Sequence, residues 1–131
     1  MAEIQCVVVT PEQLALDEKA EFVALPLFDG EIAIFPGHSP MIGRLGYGEM
    51  RLLTGGTERR YYLDGGFVQV ADDVVSVLTN RAVAAEKIDT AAAQKQLTAA
   101  GERPIDTPEM LEIRDRLVAQ ARAQLRVASH K

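Results

Sequence analysis

The sequence predicts an α+β chain in two parts, a β-sandwich or barrel followed by a helical hairpin, and three observations carry that reading. Eight runs of four to six residues, rich in β-branched and aromatic side chains, follow one another between Ile4 and Ala85, each closed by turn residues. Nine of the ten glycines precede Ile88, whereas the last 44 residues hold nine of the eighteen alanines. Glycine marks turns and alanine marks helix, so the backbone changes character near Lys87. Charge divides at the same place: residues 1–87 carry 13 acids and 7 bases, residues 88–131 carry 6 acids and 7 bases. The two domains expected are therefore 1–87 and 88–131.

The strand runs are Ile4 to Val9, Phe22 to Leu27, Glu31 to Phe35, Glu49 to Thr54, Arg59 to Leu63, Phe67 to Ala71, Val74 to Leu78 and Ala82 to Ala85. Asp29-Gly30, Pro36-Gly37, Gly55-Gly56, Gly65-Gly66 and Asp72-Asp73 supply the turns, glycine taking the positive φ that a side chain resists. Phe67 to Ala71 and Val74 to Leu78 alternate across two residues, which predicts a hairpin with one buried face. Cys6, the one cysteine, lies in the apolar run Cys6-Val7-Val8-Val9 and reads as a small buried hydrophobe.

In the last third, Asp89 is placed to cap a helix running through Ala100, with Gly101 ending it in the left-handed conformation. Arg103 to Asp106 form the loop. Thr107 as cap and Pro108 as first helical residue open a second helix, because proline loses nothing where no intrahelical amide bond is required. Along it Met110, Ile113, Leu117, Ala121, Leu125 and Ala128 recur every three or four residues as one apolar stripe. The facing stripe, Ile88, Ala92, Leu97 and Ala100, is small. Helices meeting through alanines bury little area, so the hairpin is expected to be loosely docked and mobile.

Composition excludes several classes of function. Apolar residues make up 47% and charged residues 25%, which suits a globular core rather than disorder. No charge-free run approaches the roughly 18 apolar residues of a membrane helix, and the start Met1-Ala2-Glu3 is not that of a signal peptide. A net charge of −5 argues against nucleic acid as partner. With two histidines, His38 and His130, and one cysteine, no metal site is expected. Gly55-Gly56-Thr57 lacks the lysine of a phosphate loop, adjacent His38-Ser39 point their side chains apart, and Asp64, Asp72 and Asp73 read as turn acids. No catalytic residues and no cofactor emerge. Beyond Ile113 the one acid is Asp115, against Arg114, Arg116, Arg122, Arg126 and Lys131. Two readings stand for this basic stretch: a solvated helix face, or a docking surface for an acidic segment or phosphate, which arginine pairs bidentately.

The stretch Asp29-Gly30-Glu31-Ile32-Ala33-Ile34-Phe35-Pro36-Gly37-His38-Ser39-Pro40-Met41 resembles the signature of the epsilon subunit of F-type ATP synthases, close to Gly-Glu-Ile-Gly-Ile-Leu-Pro-Gly-His-Ala-Pro-Leu. Val9-Thr10-Pro11-Glu12, Tyr62-Leu63-Asp64-Gly65-Gly66-Phe67-Val68-Gln69-Val70, Val75-Ser76-Val77-Leu78 and Ala123-Gln124-Leu125-Arg126-Val127 extend the likeness over essentially the whole chain. The resemblance implies an antiparallel β-sandwich of about ten strands and a two-helix antiparallel hairpin. It also implies a subunit with no catalytic site of its own, at the foot of the gamma subunit against the c-ring. There it turns as the central stalk and couples proton flow to ATP synthesis on the alpha and beta subunits.

By the same resemblance, Asp29, Gly30 and Glu31, and His38, Pro40 and Ile42, are candidates for contact with gamma and the c-ring. Gly37 and Pro36 serve the turn, while Ile34 and Phe35 serve the core. The hairpin implies regulation: extended into the head, Arg114, Arg116, Arg122 and Arg126 would meet an acidic segment of beta and inhibit hydrolysis. Some members bind ATP on the folded hairpin through Ile-Asp-x-x-Arg-Ala. Here Ile88, Asp89 and Ala93 match, Ala92 replaces the arginine, and Arg122 and Arg126 remain as phosphate partners, so ATP binding is expected to be weak at best. The location implied is peripheral, on the cytoplasmic face of the bacterial cell membrane, without direct insertion. The alternative is a stand-alone sandwich adaptor whose basic C-terminal helix binds an acidic partner.

Overall fold

The computed structural model describes residues 3–129, so Met1, Ala2, His130 and Lys131 lie outside the described residues. Strands β1 (Ile4–Val9), β2 (Leu14–Ala20), β3 (Phe22–Leu27), β4 (Gly30–Ile34), β5 (Met41–Thr54), β6 (Thr57–Ala71), β7 (Val74–Leu78) and β8 (Ala82–Ala84) come first. A single 3-10 turn (Ala85–Lys87) leads to α1 (Thr90–Gly101) and α2 (Pro108–Ser129). The ladder runs β2-β1-β7-β6-β5-β3-β4, with β8 paired to β6. β2 and β4 are its edges, and the β2–β3 corner is tied to β5, since Glu21 N–H, just past β2, donates to Leu53 O of β5 at 2.8 Å and Thr54 Oγ1 donates to Lys19 O at 3.1 Å. Between the layers lies a core of large side chains such as Ile4, Leu25, Ile34, Met50, Leu52 and Val77, each 1% exposed or less.

Among the described residues there are eight strands rather than about ten: β5 and β6 are long, at 14 and 15 residues, and β6 runs through Gly65-Gly66, which reads as a break. Gly65-Gly66 is not a turn. Gly66 stays in register opposite Leu45 at φ +112, and a Cβ there would lie 1.8 Å from the Leu78 carbonyl oxygen, so glycine serves a close approach of two strands. The β6–β7 hairpin turns where the sequence predicts, at Asp72-Asp73, with φ of +51 and +60. β2 shows no hydrophobic run in sequence because it is an edge strand turning in only Leu16, Glu18 and Ala20. The sheet is not wholly antiparallel either: β1 and β7 pair in parallel, since no short loop joins them and nothing local sets their relative direction. Phe35, expected in the core, follows the end of β4 and is 55% exposed, stacked on Phe22 at 5.4 Å between ring centroids; Ile34, one residue earlier, is fully buried.

Both helix starts form as the sequence predicts. Asp89 Oδ1 accepts Ala92 N–H at 3.0 Å, and Thr107 Oγ1 accepts Met110 N–H at 3.1 Å ahead of Pro108. Gly101 does not adopt the left-handed conformation. It is the last helical residue, and the end tightens into bonds from Glu102 N–H to Ala99 O and Arg103 N–H to Ala100 O, both 3.2 Å. The helices meet through Ala93, Ala100 and Ala121, all buried, while Met110, Ile113, Leu117, Leu125 and Ala128 are half-buried. A second face of α2, absent from the predicted stripe, faces the sandwich: Ala123 and Val127 pack with Tyr62 and Ala85, flanked by Tyr47, Val83 and Ile88.

Candidate interaction surfaces

Strand register builds an apolar belt on the outside of the sheet. Leu14 pairs with Val9, Val9 with Leu78, Leu78 with Phe67, and Phe67 with Arg44, so one row crosses five strands. Leu14, Leu78 and Phe67 are each more than half exposed, and Phe28 is 69% exposed with the Arg44 guanidinium 4.7 Å above its ring. Ile42, on the next row opposite Gln69, is 77% exposed. So contiguous an apolar face is uncommon on a protein without a partner. Sequence reading singled out Ile42 and missed the others. The signal was present in phase: Phe67 shares its face with Gln69, and Leu78 with Ser76, so large apolar side chains occupy the polar phase of alternating strands.

The belt borders a groove of about 1120 Å³ that runs past Phe28, Phe67, Leu78 and Tyr47 to Asp64, with Ala119 of α2 on its wall. Asp64, expected to be a turn acid, is 8% exposed and hydrogen-bonded. Its Oδ1 accepts Tyr62 O–H at 2.7 Å and Gln120 Nε2–H of α2 at 3.0 Å. Burial first, and then the bond to Asp64, push the Tyr62 hydroxyl well above its ordinary pKa. A second tie joins the same elements: Arg60 Nη1 donates to Glu49 Oε2 at 2.8 Å and to Val127 O near the end of α2 at 3.0 Å.

The six stalk-contact residues named from the resemblance are not brought together. Asp29, Gly30 and Glu31 are exposed where β4 begins, and Arg51 donates to Glu31 Oε1 at 3.0 Å. His38 and Pro40 follow the far end of β4. There Gly37 N–H donates to Asp73 Oδ1 at 2.7 Å, tying the Pro36-Gly37-His38 loop to the β6–β7 turn, and His38 Nδ1 lies 2.7 Å from Ser39 O. Ile42 belongs to the belt. On α2, Arg116, Arg122 and Arg126 are exposed and Arg114 is half-buried, and among the described residues no carboxylate pairs with any of the four. Of the nucleotide candidates, Asp89 spends Oδ1 on its helix cap, Ala93 is buried against α2, and Ile88 packs beside Tyr62. Cys6 is fully buried, and burial raises its thiol to about 12.

Among the described residues no group of three or more His, Cys, Asp or Glu could hold a metal ion, and no helix is long and apolar enough to cross a membrane. Fold and surface together define a β-sandwich docking module with a helical hairpin seated on its side. The family model described as "ATP synthase, Delta/Epsilon chain, beta-sandwich domain" matches residues 3–85. A Rhodopirellula baltica protein named ATP synthase epsilon chain is 54% identical over 95% of this chain and 98% of its own length. A Solibacter usitatus protein of the same name is 33% identical over 93% and 91%. A chain in the Euglena gracilis mitochondrial ATP synthase structure, covering OSCP, F1 and the c-ring, superposes with a TM-score of 0.86 at 24% identity, over 99% of this chain and 83% of that one. The chain belongs to the ATP synthase epsilon chain family.

Proposed function

We propose that this chain is the central-stalk epsilon subunit of an F-type ATP synthase, non-catalytic itself. In this role it joins the gamma subunit to the c-ring beneath the alpha and beta subunits, as a peripheral protein on the cytoplasmic face of the bacterial membrane. The exposed belt carries this reading, because a rotating stalk must pass torque through a stiff, extended contact. A sandwich with a large buried core and a proline-braced loop tied by Gly37 to Asp73 supplies the stiffness. Residues 1–87 form the docking unit. Phe67, Leu78 and Ile42 meet gamma, and Asp29, Gly30, Glu31, His38 and Pro40 meet polar loops of the ring and gamma. Substituting Phe67→Asp leaves the fold intact and weakens assembly with gamma and the ring by tenfold or more, as expected for an interface anchor of at least about 1.4 kcal/mol. Unchanged assembly of that variant overturns the docking reading.

Residues 88–131 form the regulatory unit in this proposal. Released from the sandwich, α2 offers Arg114, Arg116, Arg122 and Arg126 to an acidic segment of beta and restrains hydrolysis. That no carboxylate among the described residues pairs with these four guanidinium groups supports this, since a solvated helix face in an acidic protein usually carries its own counter-charges. Replacing all four by alanine raises ATP hydrolysis of the assembled complex at unchanged assembly; unaltered hydrolysis removes the regulatory role and leaves the stalk role standing. ATP binding to the hairpin through Ile88, Asp89, Ala93, Arg122 and Arg126 is at best weak, because Ala92 carries no guanidinium. A low-micromolar dissociation constant would contradict that.

A further inference from the structure

Gln120 stands where three elements meet. Its Nε2 donates to Asp64 Oδ1 of β6 at 3.0 Å, while its Oε1 accepts from Gln96 Nε2 of α1 at 3.4 Å. The same Gln96 nitrogen donates to Leu117 O, one turn earlier on α2, at 2.9 Å. Tyr62 O–H, fully buried, completes the set on Asp64 Oδ1. An unbroken series of hydrogen bonds thus runs from α1 through α2 into the sandwich, and every link from Gln96 onward is half-buried or buried.

We propose that Gln120 couples closure of the hairpin to its docking, so that α2 leaves the sandwich and α1 leaves α2 in one step, with Asp64 as the release point. The amide has one acceptor and one donor group in use, each toward a different element. When Asp64 lets go, the Gln120 amide is free to turn toward water, and that turn withdraws Oε1 from Gln96 and leaves the Gln96–Leu117 bond as the one remaining link of this series between the helices. Apolar packing does not hold α1 in place by itself, because the side chains it buries are the alanines Ala93 and Ala100. In a partly dry interface such bonds also strengthen one another, so losing the end link weakens the next. The inference rests on reading the hairpin as a movable unit, but not on what the released hairpin does to hydrolysis.

Amide hydrogen exchange on the full chain tests it. Gln120→Leu is expected to speed exchange tenfold or more in the last turns of both α1 and α2, with Val68 and Val70 in the sandwich core unchanged. Asp64→Leu should give the same pattern, and adding it to Gln120→Leu should add nothing further, since both cut one series. Gln96→Leu must act in reverse, loosening the α2 seat around Val127 as well as α1, because coupling is reciprocal. Loss of protection in α2 with α1 still protected, additive effects in the double variant, or a Gln96→Leu effect confined to α1 would each overturn the proposal. If Asp64→Leu also loosens the sandwich core, the Gln120 and Gln96 variants on the helices decide alone.

Discussion

The sandwich core and the seat of the hairpin are built on opposite principles. Inside the sandwich, Ile4, Leu25, Met50, Leu52 and their neighbours are sealed from water, and each such side chain contributes about 1.5–3 kcal/mol by burial alone. At the seat, the small side chains Ala123 and Val127 pack on Tyr62 and Ala85 in a much smaller cluster, and directional bonds add to it: Gln120 to Asp64, and Arg60 to the Val127 carbonyl. A net hydrogen bond contributes about 0.5–1.5 kcal/mol, somewhat more when one partner is charged. The first region is held by area and cannot be opened in small steps. The second combines one small apolar cluster around Tyr62 with a handful of directional bonds, so single polar side chains weigh more there than in the core.

The largest effect is expected where area dominates. Leu52→Ala removes a fully buried side chain from the sandwich core and should destabilise the whole chain by about 2–5 kcal/mol. Thermal unfolding would show sandwich and hairpin signals falling together. If the hairpin survived the melting of the sandwich, the picture of a dependent hairpin would be wrong.

Ala123→Leu sharpens the contrast from the other side. Ala123 is fully buried against Tyr62, so extra methylene groups there overpack the seat and cost about 1–3 kcal/mol of docking. Exchange protection of α2 should drop while the sandwich midpoint in denaturant stays put. A matching shift of that midpoint would mean that seat and core form one cooperative unit.

The two buried acids with raised pKa values divide the same way. Cys6 lies in the core and Tyr62 at the seat, and both are held neutral by burial. A raised folded-state value means the unfolded chain loses its proton first, so the stability each group contributes is complete below the unfolded value and declines as pH rises past it. The folding stability that Tyr62 contributes should therefore be flat up to about pH 10 and decline above it, whereas Tyr62→Phe should flatten that part of the profile. The sandwich should weaken from about pH 9 upward through Cys6, which should also resist thiol reagents at pH 8 until the core opens. Rapid labelling of Cys6 in the native chain would contradict its place in the core.

What could be read from the sequence tracks which interactions are local. The caps at Asp89 and Thr107, the turn at Asp72-Asp73 and the alternation of β6 and β7 depend on residues a few positions apart, and the structure has them as expected. Long-range choices were hidden. The continuity of β6 through Gly65-Gly66 depends on how closely the Leu78 carbonyl approaches, and the edge strand β2 has too little apolar content to announce itself. Asp64 looked like a turn acid because its partner Gln120 lies 56 residues away. The belt is the instructive miss, since Phe67 and Leu78 were each counted as strand hydrophobes and only register sets them side by side, facing outward.

The smallest effect tests how far the hairpin relies on its own sequence. Asp89 caps a helix whose buried residues are alanines, and Asp89→Ala removes one acceptor at an exposed end, with an expected cost of about 1 kcal/mol or less. In the sandwich such a loss would vanish into the margin supplied by the core. In α1 it is comparable to each of the bonds that hold the helix down, so exchange in its first turn should quicken by several-fold while α2 stays docked through Asp64 and Arg60. The distinction matters for the series through Gln120: Asp89 lies outside it, and fraying from that end should stop before Gln96. If loss of the cap instead released α2, the hairpin would be governed by helix propensity, and the polar bonds at its seat would be passengers.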